Sequence, residues 1–196
     1  MAEDRYEIRL SGSGGQGIIM AAVILAEAAG VYNGRHVCQT QSYGPEARGG
    51  SSKAEVVISK REIDYPKAIR PDMLLAMNQA SCDLYFSDLK PNGLLVVDGS
   101  LVEQIPTRRV IPIPFTQIAR ETTGKELAAN MVALGAVGQL CPHVSVKKLE
   151  TALLARIPKG TEKMNLQALR AGVKAAKKFP MNVLPPFVFS EVEEDL

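Results

Sequence analysis

Apolar residues occur in short runs along most of the chain, and runs of strand length alternate with runs of helix length. The predicted strands are Tyr6–Leu10, His36–Thr40, Ala54–Ser59, Asp72–Met77, Leu94–Asp98 and Arg108–Ile113. The predicted helices are Ile18–Tyr32, Gln79–Leu89, Phe115–Thr123, Glu126–Leu140, Val146–Ala155 and Met164–Lys178. This alternation predicts an α/β layer sandwich around a largely parallel sheet.

The individual runs also predict where strands lie in the sheet. Asp72–Met77 and Leu94–Asp98 are continuously apolar, as central strands covered on both faces are. Pro112 removes a hydrogen-bond donor from the last strand and places it at an edge. The two strands between Val37 and Ser59 are joined without a helix, so we expect an antiparallel pair and therefore a mixed sheet.

The loop Gln39–Gly50 is long and polar for a connection between two strands. Its 12 residues include three glycines and Pro45, whereas compact domains usually connect elements with about 4 to 6 residues. It also carries one acid, Glu46, and one base, Arg48. Two interpretations stand: a solvent-facing connector, or an ordered surface on which Arg48 grips a carboxylate or phosphate at two points.

A glycine-rich turn follows the first predicted strand and precedes the first predicted helix. Gly12, Gly14 and Gly17 have the G-x-G-x-x-G spacing of a dinucleotide-binding turn. The acid that would hold the ribose is missing from the second strand, where the sequence is Val37–Gln41. The turn therefore has three interpretations: NAD(P) binding, close packing against the helix or a partner, or an anion at the helix N-terminus. The candidate residues are Gly12, Gly14, Gly15, Gln16 and Gly17.

A few polar residues outside these segments have both a structural and a functional interpretation. Asn78 follows the apolar strand Asp72–Met77, so it either lines a crevice at the strand end or caps the next helix. The two histidines, His36 and His143, have no ligand-like neighbours, and we expect structural roles for both. Five lysines on the last two predicted helices indicate a solvated helix face, with an acidic partner such as a ferredoxin or a phosphorylated ligand as the alternatives; they are Lys147, Lys148, Lys174, Lys177 and Lys178.

Composition narrows the classes of function. With 196 residues, we expect one domain over 1–179 and a C-terminal tail over 180–196. A net charge of +2 and an aromatic content of 5% give no basis for nucleic-acid binding. Cys38, Cys82 and Cys141 form no local cluster, so we expect no metal site and a reducing cytoplasm. No apolar run reaches the roughly 18 residues of a membrane span.

Five segments together resemble the gamma subunit of 2-oxoacid:ferredoxin (acceptor) oxidoreductases. They are Gly12–Ile18, Gln39–Gly50, Ile63–Pro66, Leu75–Gln79 and Asn130–Gly135. The glycine turn alone is a weak signal, but its combination with the long loop is specific. The residue order of the loop is more similar to that of the 2-oxoglutarate class than to that of pyruvate-type chains. Pyruvate-type and indolepyruvate-type gamma subunits remain the alternatives.

The resemblance implies a fold, a reaction and partners. The fold is a three-layer α/β/α sandwich with a mixed, mostly parallel sheet, partly Rossmann-like. The implied complex decarboxylates a 2-oxoacid on thiamine diphosphate with Mg²⁺, passes electrons through [4Fe-4S] clusters to ferredoxin or another acceptor, and transfers the acyl group to coenzyme A. Alpha, beta and, in some complexes, ferredoxin-like delta subunits are the partners.

The resemblance assigns none of this chemistry to the gamma subunit itself. We therefore name no catalytic candidate among the residues of this chain, and we expect the isolated chain to be inactive. Its Asp98-Gly99 pair lacks the glycine that would open a thiamine diphosphate metal motif. The glycine turn and the loop are expected to face the partner subunits near the coenzyme A entrance. The loop residues concerned are Gln41, Ser42, Tyr43, Gly44, Pro45, Glu46, Arg48, Gly49 and Gly50, with Asn78 beside them. A free-standing nucleotide-binding oxidoreductase is the rival hypothesis.

Overall fold

A computed structural model describes residues 5–42, 51–179 and 184. The strands are β1 Arg5–Ser13, β2 His36–Ser42, β3 Ser51–Ser59, β4 Met73–Ala76, β5 Leu94–Asp98 and β6 Val110–Ile113. The helices are α1 Ile18–Gly30, α2 Gln79–Tyr85, α3 Phe115–Thr123, α4 Ala129–Leu140, α5 Val146–Arg156 and α6 Glu162–Ala176. Short 3₁₀ turns at Phe86–Asp88 and Glu126–Ala128 follow α2 and precede α4.

The six strands form one sheet in the order β2-β3-β1-β4-β5-β6. β1, β4, β5 and β6 are parallel neighbours, whereas β3 is antiparallel to both β1 and β2. The predicted mixed, mostly parallel sheet is therefore confirmed, including the antiparallel pair between Val37 and Ser59. Pro112 lies in β6, the strand at one edge of the sheet, as expected for a residue that cannot donate a main-chain hydrogen bond.

The long polar loop is shorter than the sequence predicted. Gln39–Ser42 belong to β2, with Ser42 opposite Lys53, and β3 begins at Ser51 rather than at Ala54. Main-chain hydrogen bonds hold an antiparallel pair whatever the polarity of the side chains, so polar residues continue both strands. Residues 43–50, which carry the rest of the predicted loop, lie outside the described residues.

Several helix boundaries also differ from the predicted ones. α1 ends at Gly30 rather than at Tyr32, and a turn follows in which Gly34 has φ 68°. α2 ends at Tyr85, four residues before the predicted end, because the chain tightens into the 3₁₀ turn Phe86–Asp88. α4 starts at Ala129 after the other 3₁₀ turn, although the apolar pattern begins earlier.

Alternate strand residues face two separate cores, which makes three layers. On one face, Leu75 and Val96 join the core beneath α1, α3, α4, α5 and α6. On the other face, Leu74 and Val97 pack against Cys82 of α2. Both faces of the central strands are covered, which explains their continuous apolar runs. The predicted three-layer α/β/α fold is confirmed.

Helices α4 and α6 cross with their main chains in contact. A Cβ on Gly135 would lie 2.0 Å from the Leu169 oxygen, and one on Gly172 would lie 1.8 Å from the Val132 oxygen. No side chain fits at either position. The two glycines therefore set the distance between these helices, which line the larger core.

A buried charge network lies on the α2 face of the sheet. Arg9 of β1 and Glu55 of β3 are each only 3% exposed, and Arg9 Nε is 2.9 Å from Glu55 Oε1. Arg9 also contacts Asp88, and Lys53 Nζ is 3.2 Å from Glu55 Oε1. The Arg9 guanidinium carbon and the Lys53 ammonium lie 5.2 and 5.6 Å from the Tyr85 ring centroid. The network ties β3 to β1 and to the segment after α2.

Candidate functional site

The glycine turn, Asn78 and Asp98 come from three different parts of the sequence and lie at one edge of the sheet. β1, β4 and β5 are parallel, and these residues lie at or beyond their carboxyl ends. In open α/β sheets, ligands and partners are usually bound at this edge. We refer to it below as the carboxyl edge, made of Ser13–Gly17, Asn78 and Asp98.

The glycine turn is held by close main-chain contacts. Gly15 and Gly17 have φ of 89° and 71°, a left-handed conformation that favours glycine. Gln16 Oε1 accepts a hydrogen bond from Ser13 N at 2.6 Å and would lie 2.5 Å from a Cβ on Gly12. Gly12 therefore leaves room for the side chain of Gln16, which folds back under the turn.

The side chains of two asparagines from other elements donate hydrogen bonds to the glycine turn. Asn78 Nδ2 donates to Ser13 Oγ at 2.7 Å, while its Oδ1 accepts from Ser81 N at 2.8 Å and caps α2. Asn130 Nδ2 donates to the Gly17 oxygen at 3.3 Å, from α4. Both interpretations of Asn78 therefore hold geometrically, since it caps a helix and lies at the carboxyl edge. Asn130 carried no predicted role of its own, although its segment contributed to the family resemblance.

A cleft of about 460 Å³ opens beside the turn. It is lined by Gly14, Gly15, Gln16, Met77, Leu101, Thr116, Glu126, Leu127 and Ala129. Leu127 and Leu101 on its walls are 81% and 42% exposed. Two large apolar side chains are therefore left exposed on the walls of this cleft.

Asp98 supports the far wall of the cleft. It is completely buried, and its Oδ2 accepts hydrogen bonds from Thr116 N at 3.0 Å and Thr116 Oγ1 at 2.5 Å. Its other oxygen accepts from Ser100 N at 2.9 Å. These bonds satisfy the buried carboxylate and hold the start of α3, so Asp98 has a structural role here.

The two ends of the predicted loop reach the carboxyl edge. Ser51, the first residue of β3, lies opposite Ser13, the last residue of β1, and Ser42 lies opposite Lys53. Ser42 and Ser51, the described residues on either side of 43–50, therefore both lie at this end of the sheet, and Ser51 is directly beside the last residue of β1. Of the predicted interface residues, Gln41 and Ser42 are exposed strand residues. The others fall outside the described residues: Tyr43, Gly44, Pro45, Glu46, Arg48, Gly49 and Gly50.

A second, polar cavity lies on the α2 face near the same loop ends. It has about 210 Å³ and is lined by Thr40, Gln41, Ser42, Lys53, Glu55 and Lys67. Glu55 on its wall belongs to the buried pair with Arg9, a pair that the sequence alone did not predict. The signal that could have revealed the pair is that two strands expected in one sheet carry opposite charges among apolar residues.

The geometry around β1 differs from that of a dinucleotide-binding fold. Such a fold places a parallel strand on each side of the first strand, and one of them ends in the acid that holds the ribose. Here β1 has antiparallel β3 on one side and parallel β4 on the other. The end of β2 carries Gln41 and Ser42, which are not acidic. The turn resembles the nucleotide motif in spacing, without the rest of that site.

The remaining polar candidates lie away from the carboxyl edge. His143 packs against Tyr6 with ring centroids 4.9 Å apart, and burial together with Arg35 lowers the pKa of its imidazole. His36 is exposed at the start of β2. The lysines of the predicted solvated face are all exposed.

The described residues contain no group of three His, Cys, Asp or Glu side chains placed to hold a metal ion. Cys82 and Cys141 are buried in cores on opposite faces of the sheet. Burial raises the pKa of each of these thiols to about 11. Across the described ranges, no helix has both the length and the apolar character needed to cross a membrane.

The fold defines a class of protein: an α/β domain with a mixed, mostly parallel sheet and a glycine turn beside a cleft at the carboxyl edge. The chain belongs to the pyruvate ferredoxin/flavodoxin oxidoreductase family, whose model matches residues 7–175. The family resemblance drawn from the sequence is therefore confirmed.

Individual relatives show how similar the chain is to subunits that are named for different 2-oxoacids. The chain is 50% identical to 2-oxoglutarate synthase subunit KorC of Methanocaldococcus jannaschii, over 89% of this chain and 95% of the relative. It is 34% identical to ketoisovalerate oxidoreductase subunit VorA of Methanothermobacter thermautotrophicus, over 87% of this chain but only 36% of the relative. The same organism's pyruvate synthase subunit PorC is 32% identical, over 90% and 99% of the two chains.

Solved structures agree with these sequence relationships. The gamma subunit of a keto/oxoacid ferredoxin oxidoreductase from Geobacter sulfurreducens has a TM-score of 0.82 at 44% identity, over 89% of this chain and 97% of that one. The 2-oxoglutarate:ferredoxin oxidoreductase of Magnetococcus marinus has a TM-score of 0.80 at 26% identity, over 91% of this chain and 32% of that one. In the latter, the matching part belongs to a much longer chain.

Proposed function

We propose that this chain is the gamma subunit of a 2-oxoglutarate:ferredoxin oxidoreductase that converts 2-oxoglutarate, with coenzyme A, to succinyl-CoA and CO₂ and reduces ferredoxin or another acceptor. The observation that carries this proposal is the 50% identity to a 2-oxoglutarate synthase subunit over nearly the full length of both chains. Relatives named for ketoisovalerate or pyruvate are 34% and 32% identical. The wording of the loop Gln39–Gly50 supports the same substrate.

The cofactors of such a complex are expected on the sister subunits. Thiamine diphosphate with Mg²⁺ would supply the decarboxylation chemistry, and [4Fe-4S] clusters would carry the electrons. The described residues do not fit a cluster, because Cys82 and Cys141 lie on opposite faces of the sheet and no metal-binding group of three side chains is assembled. Three free thiols also suit a reducing cytoplasm.

The carboxyl edge is the surface that we assign to the alpha and beta subunits, near the entrance for coenzyme A. Gly12, Gly14, Gly15, Gln16 and Gly17 would form the turn that approaches a partner closely, and the open wall at Leu127 would be covered on assembly. Ser51, the first described residue after segment 43–50, lies opposite Ser13 at that turn, which supports a shared role for the loop and the turn. In this arrangement the chain shapes the site and the partners perform the chemistry.

Reconstitution with the sister subunits tests both substrate and surface. The complex should turn over 2-oxoglutarate with a higher kcat/KM than pyruvate, 3-methyl-2-oxobutanoate or indolepyruvate. A preference for any of the other acids would overturn the substrate assignment. The chain without its partners should show no activity.

Surface variants test the placement of the partners. Leu127→Asp should abolish co-purification with the sister subunits, because it places a charge on the apolar wall of the cleft. Leu154→Asp, on α5 and 44% exposed, is the matched control and should assemble normally. Arg48→Ala and Gly49→Val test the loop. If both loop variants assemble and turn over at the wild-type rate, the loop is only a connector.

Titration of the isolated chain with NADH decides the rival hypothesis of a free-standing nucleotide-binding oxidoreductase. We expect no binding, because the acid that holds the ribose is absent from the end of β2. Tight binding of one NADH per chain would overturn the assignment as a gamma subunit.

A further inference from the structure

Five exposed lysines lie at one end of the helical hairpin that α5 and α6 form. The turn 157–161 joins the two helices, and Arg170 Nε and Nη2 donate to the two Glu150 carboxylate oxygens at 2.7 and 2.9 Å. The start of α5 therefore lies beside the end of α6. We refer to the lysines of these two helix ends as the lysine cluster: Lys147, Lys148, Lys174, Lys177 and Lys178.

The lysine cluster has no acidic counterpart in the part of the chain that the structure describes. None of its five side chains forms a salt bridge with a described acid. Glu150, the acid of α5, is already engaged by Arg170. Five like charges at neighbouring helix ends repel one another, so an anionic group placed among them would be bound favourably.

Two of the lysines also lie where a helix disfavours positive charge. The N-terminus of a helix carries partial positive charge, so acids are favoured in the first turn and cations in the last. Lys174 and the two lysines that follow α6 agree with this preference. Lys147 and Lys148 oppose it, because they are in the first turn of α5, which has no acid. An anionic group at this position would be attracted by the lysines and by the helix end together.

The acids that could supply this group are concentrated in one segment of the same chain. Residues 180–196 contain four of the 21 acids and none of the 23 lysines and arginines. Residues 1–179 therefore hold 23 basic and 17 acidic residues, although the whole chain has a net charge of only +2. The four acids are Glu191, Glu193, Glu194 and Asp195.

The connection between the two groups is short enough for them to meet. Phe179 follows the last lysine of the cluster, and both Phe179 and Leu184 pack against the larger core. Glu191 is seven residues after Leu184, and an extended chain covers at most about 3.6 Å per residue, so Glu191 lies within about 25 Å of Leu184. A short tether gives the acids an effective concentration on the order of millimolar, which favours them over a separate acidic protein.

We propose that the acidic residues of 191–195 bind the lysine cluster of the same chain. Their carboxylates lie against the first turn of α5 and the last turn of α6, where they offset the repulsion among the lysines. The contact consists of exposed ion pairs, which are individually weak and are screened by salt. While it is formed, it keeps the five lysines from binding other anionic surfaces.

Carbodiimide cross-linking of the full chain, followed by peptide mapping, tests the contact. This reagent joins a carboxylate to an amine only when the two groups touch. At low salt we expect cross-links from residues 191–195 to the lysine cluster, within a single molecule of 21.2 kDa. Lys159 and Lys163 are exposed at the other end of the hairpin and should not be joined. In about 1 M salt, where the Debye length is about 3 Å, the cross-links should disappear.

The same experiment has outcomes that overturn the proposal. Equal cross-linking of the control lysines would show that the acids have no fixed binding site, and an absence of cross-links to the cluster would show that they do not bind it. Covalent dimers in place of cross-linked monomers would assign the acids to the cluster of a second copy, which also contradicts a contact within one chain.

Retention on immobilised heparin, a polyanion that binds exposed lysines, gives an independent measurement. Neutralising the acids should uncover the cluster and raise the salt concentration needed for elution. The same change in a chain whose five cluster lysines are replaced by glutamine separates this contact from the change in net charge. The elution shift should be much smaller in that background, and equal shifts in the two backgrounds would contradict the proposal. The neutralised variant is Glu191→Gln/Glu193→Gln/Glu194→Gln/Asp195→Asn.

Discussion

The side chain of Asn130, on α4, closes over the main chain of Gly17, the residue at which the glycine turn enters α1. Its Nδ2 donates to the Gly17 oxygen, and a Cβ on Gly17 would lie 2.1 Å from the same nitrogen. Two elements more than a hundred residues apart in sequence are thus fitted to each other at a single glycine.

Gly17→Ala should therefore destabilise the chain. Its φ of 71° is unfavourable for alanine, and the added methyl group meets Asn130, so we expect a loss of about 1 to 3 kcal/mol in the free energy of unfolding. Urea denaturation measures it. Gly14→Ala is the control, because nothing lies within 4 Å of a Cβ there. Equal stability of the two variants would contradict the contact.

Gly172→Ala tests the crossing of α4 and α6. On an exposed helix, replacing glycine by alanine stabilises by about 0.5 to 1 kcal/mol. Here the methyl group would lie 1.8 Å from the Val132 oxygen, and overpacking should reverse the sign, with a loss of about 1 to 3 kcal/mol. The test is the sign of the change in the free energy of unfolding, measured in a urea or thermal melt. A variant more stable than the wild type would show that the two helices are farther apart.

Arg9→Met should be strongly destabilising, because it leaves Glu55 buried without its main partner. Removing one member of a buried ion pair typically costs about 3 to 5 kcal/mol. The double variant Arg9→Met/Glu55→Met should lose less than the sum of the two single variants, as a double-mutant cycle in urea will measure. Arg170→Met, which breaks an exposed pair with Glu150, should show no measurable loss.

Cys82 and Cys141 should react slowly with thiol reagents. Burial raises the pKa of both thiols to about 11, so few thiolates exist at pH 8 and the reagent also lacks access. In a Cys38→Ser background, Ellman's reagent should label neither residue in the folded chain and both in urea. Rapid labelling of the folded chain would contradict the burial of these residues.

The raised pKa values of the same two thiols predict a lower free energy of unfolding at alkaline pH. An unfolded thiol titrates at about pH 9, whereas the folded Cys141 thiol holds its proton to about pH 11. Between these values the unfolded state binds fewer protons, so the free energy of unfolding falls as pH rises. Cys82→Ala/Cys141→Ala should show a shallower decline than the wild type over this interval in urea denaturation. Parallel curves would exclude a thiol contribution.

Much of this fold could be predicted from the sequence, because its central strands are buried on both faces and are therefore continuously apolar. The apolar runs at β4 and β5 have the length of buried strands and were predicted as such, and the absence of a helix between Val37 and Ser59 indicated the antiparallel pair. The end of β2 was missed because an edge strand needs no apolar side chains. Gln41 and Ser42 pair through their main chains and keep the appearance of a loop.

The site was predictable only in part, and for a different reason. The glycine spacing marked the turn, but the three amides that hold it come from separate elements. Gln16 is local, whereas Asn78 and Asn130 reach Ser13 and Gly17 only after the sheet and α4 have assembled. Arg9 and Glu55 were missed because alternation along one strand cannot reveal that the neighbouring strand supplies the opposite charge.

The central position of β1 has a consequence for the order of folding. Ile8 lies opposite Val56 on one side and Met73 on the other. β1 precedes both of its partners in the chain, so one of its edges can pair once β3 has been made, whereas the other stays unpaired until β4 has been made. Such non-local pairing slows folding and exposes a strand to misassociation meanwhile. β1 can have both neighbours only when residues through 76 are free to fold, so a released fragment ending at residue 76 should be the shortest one in which both edges of β1 are paired.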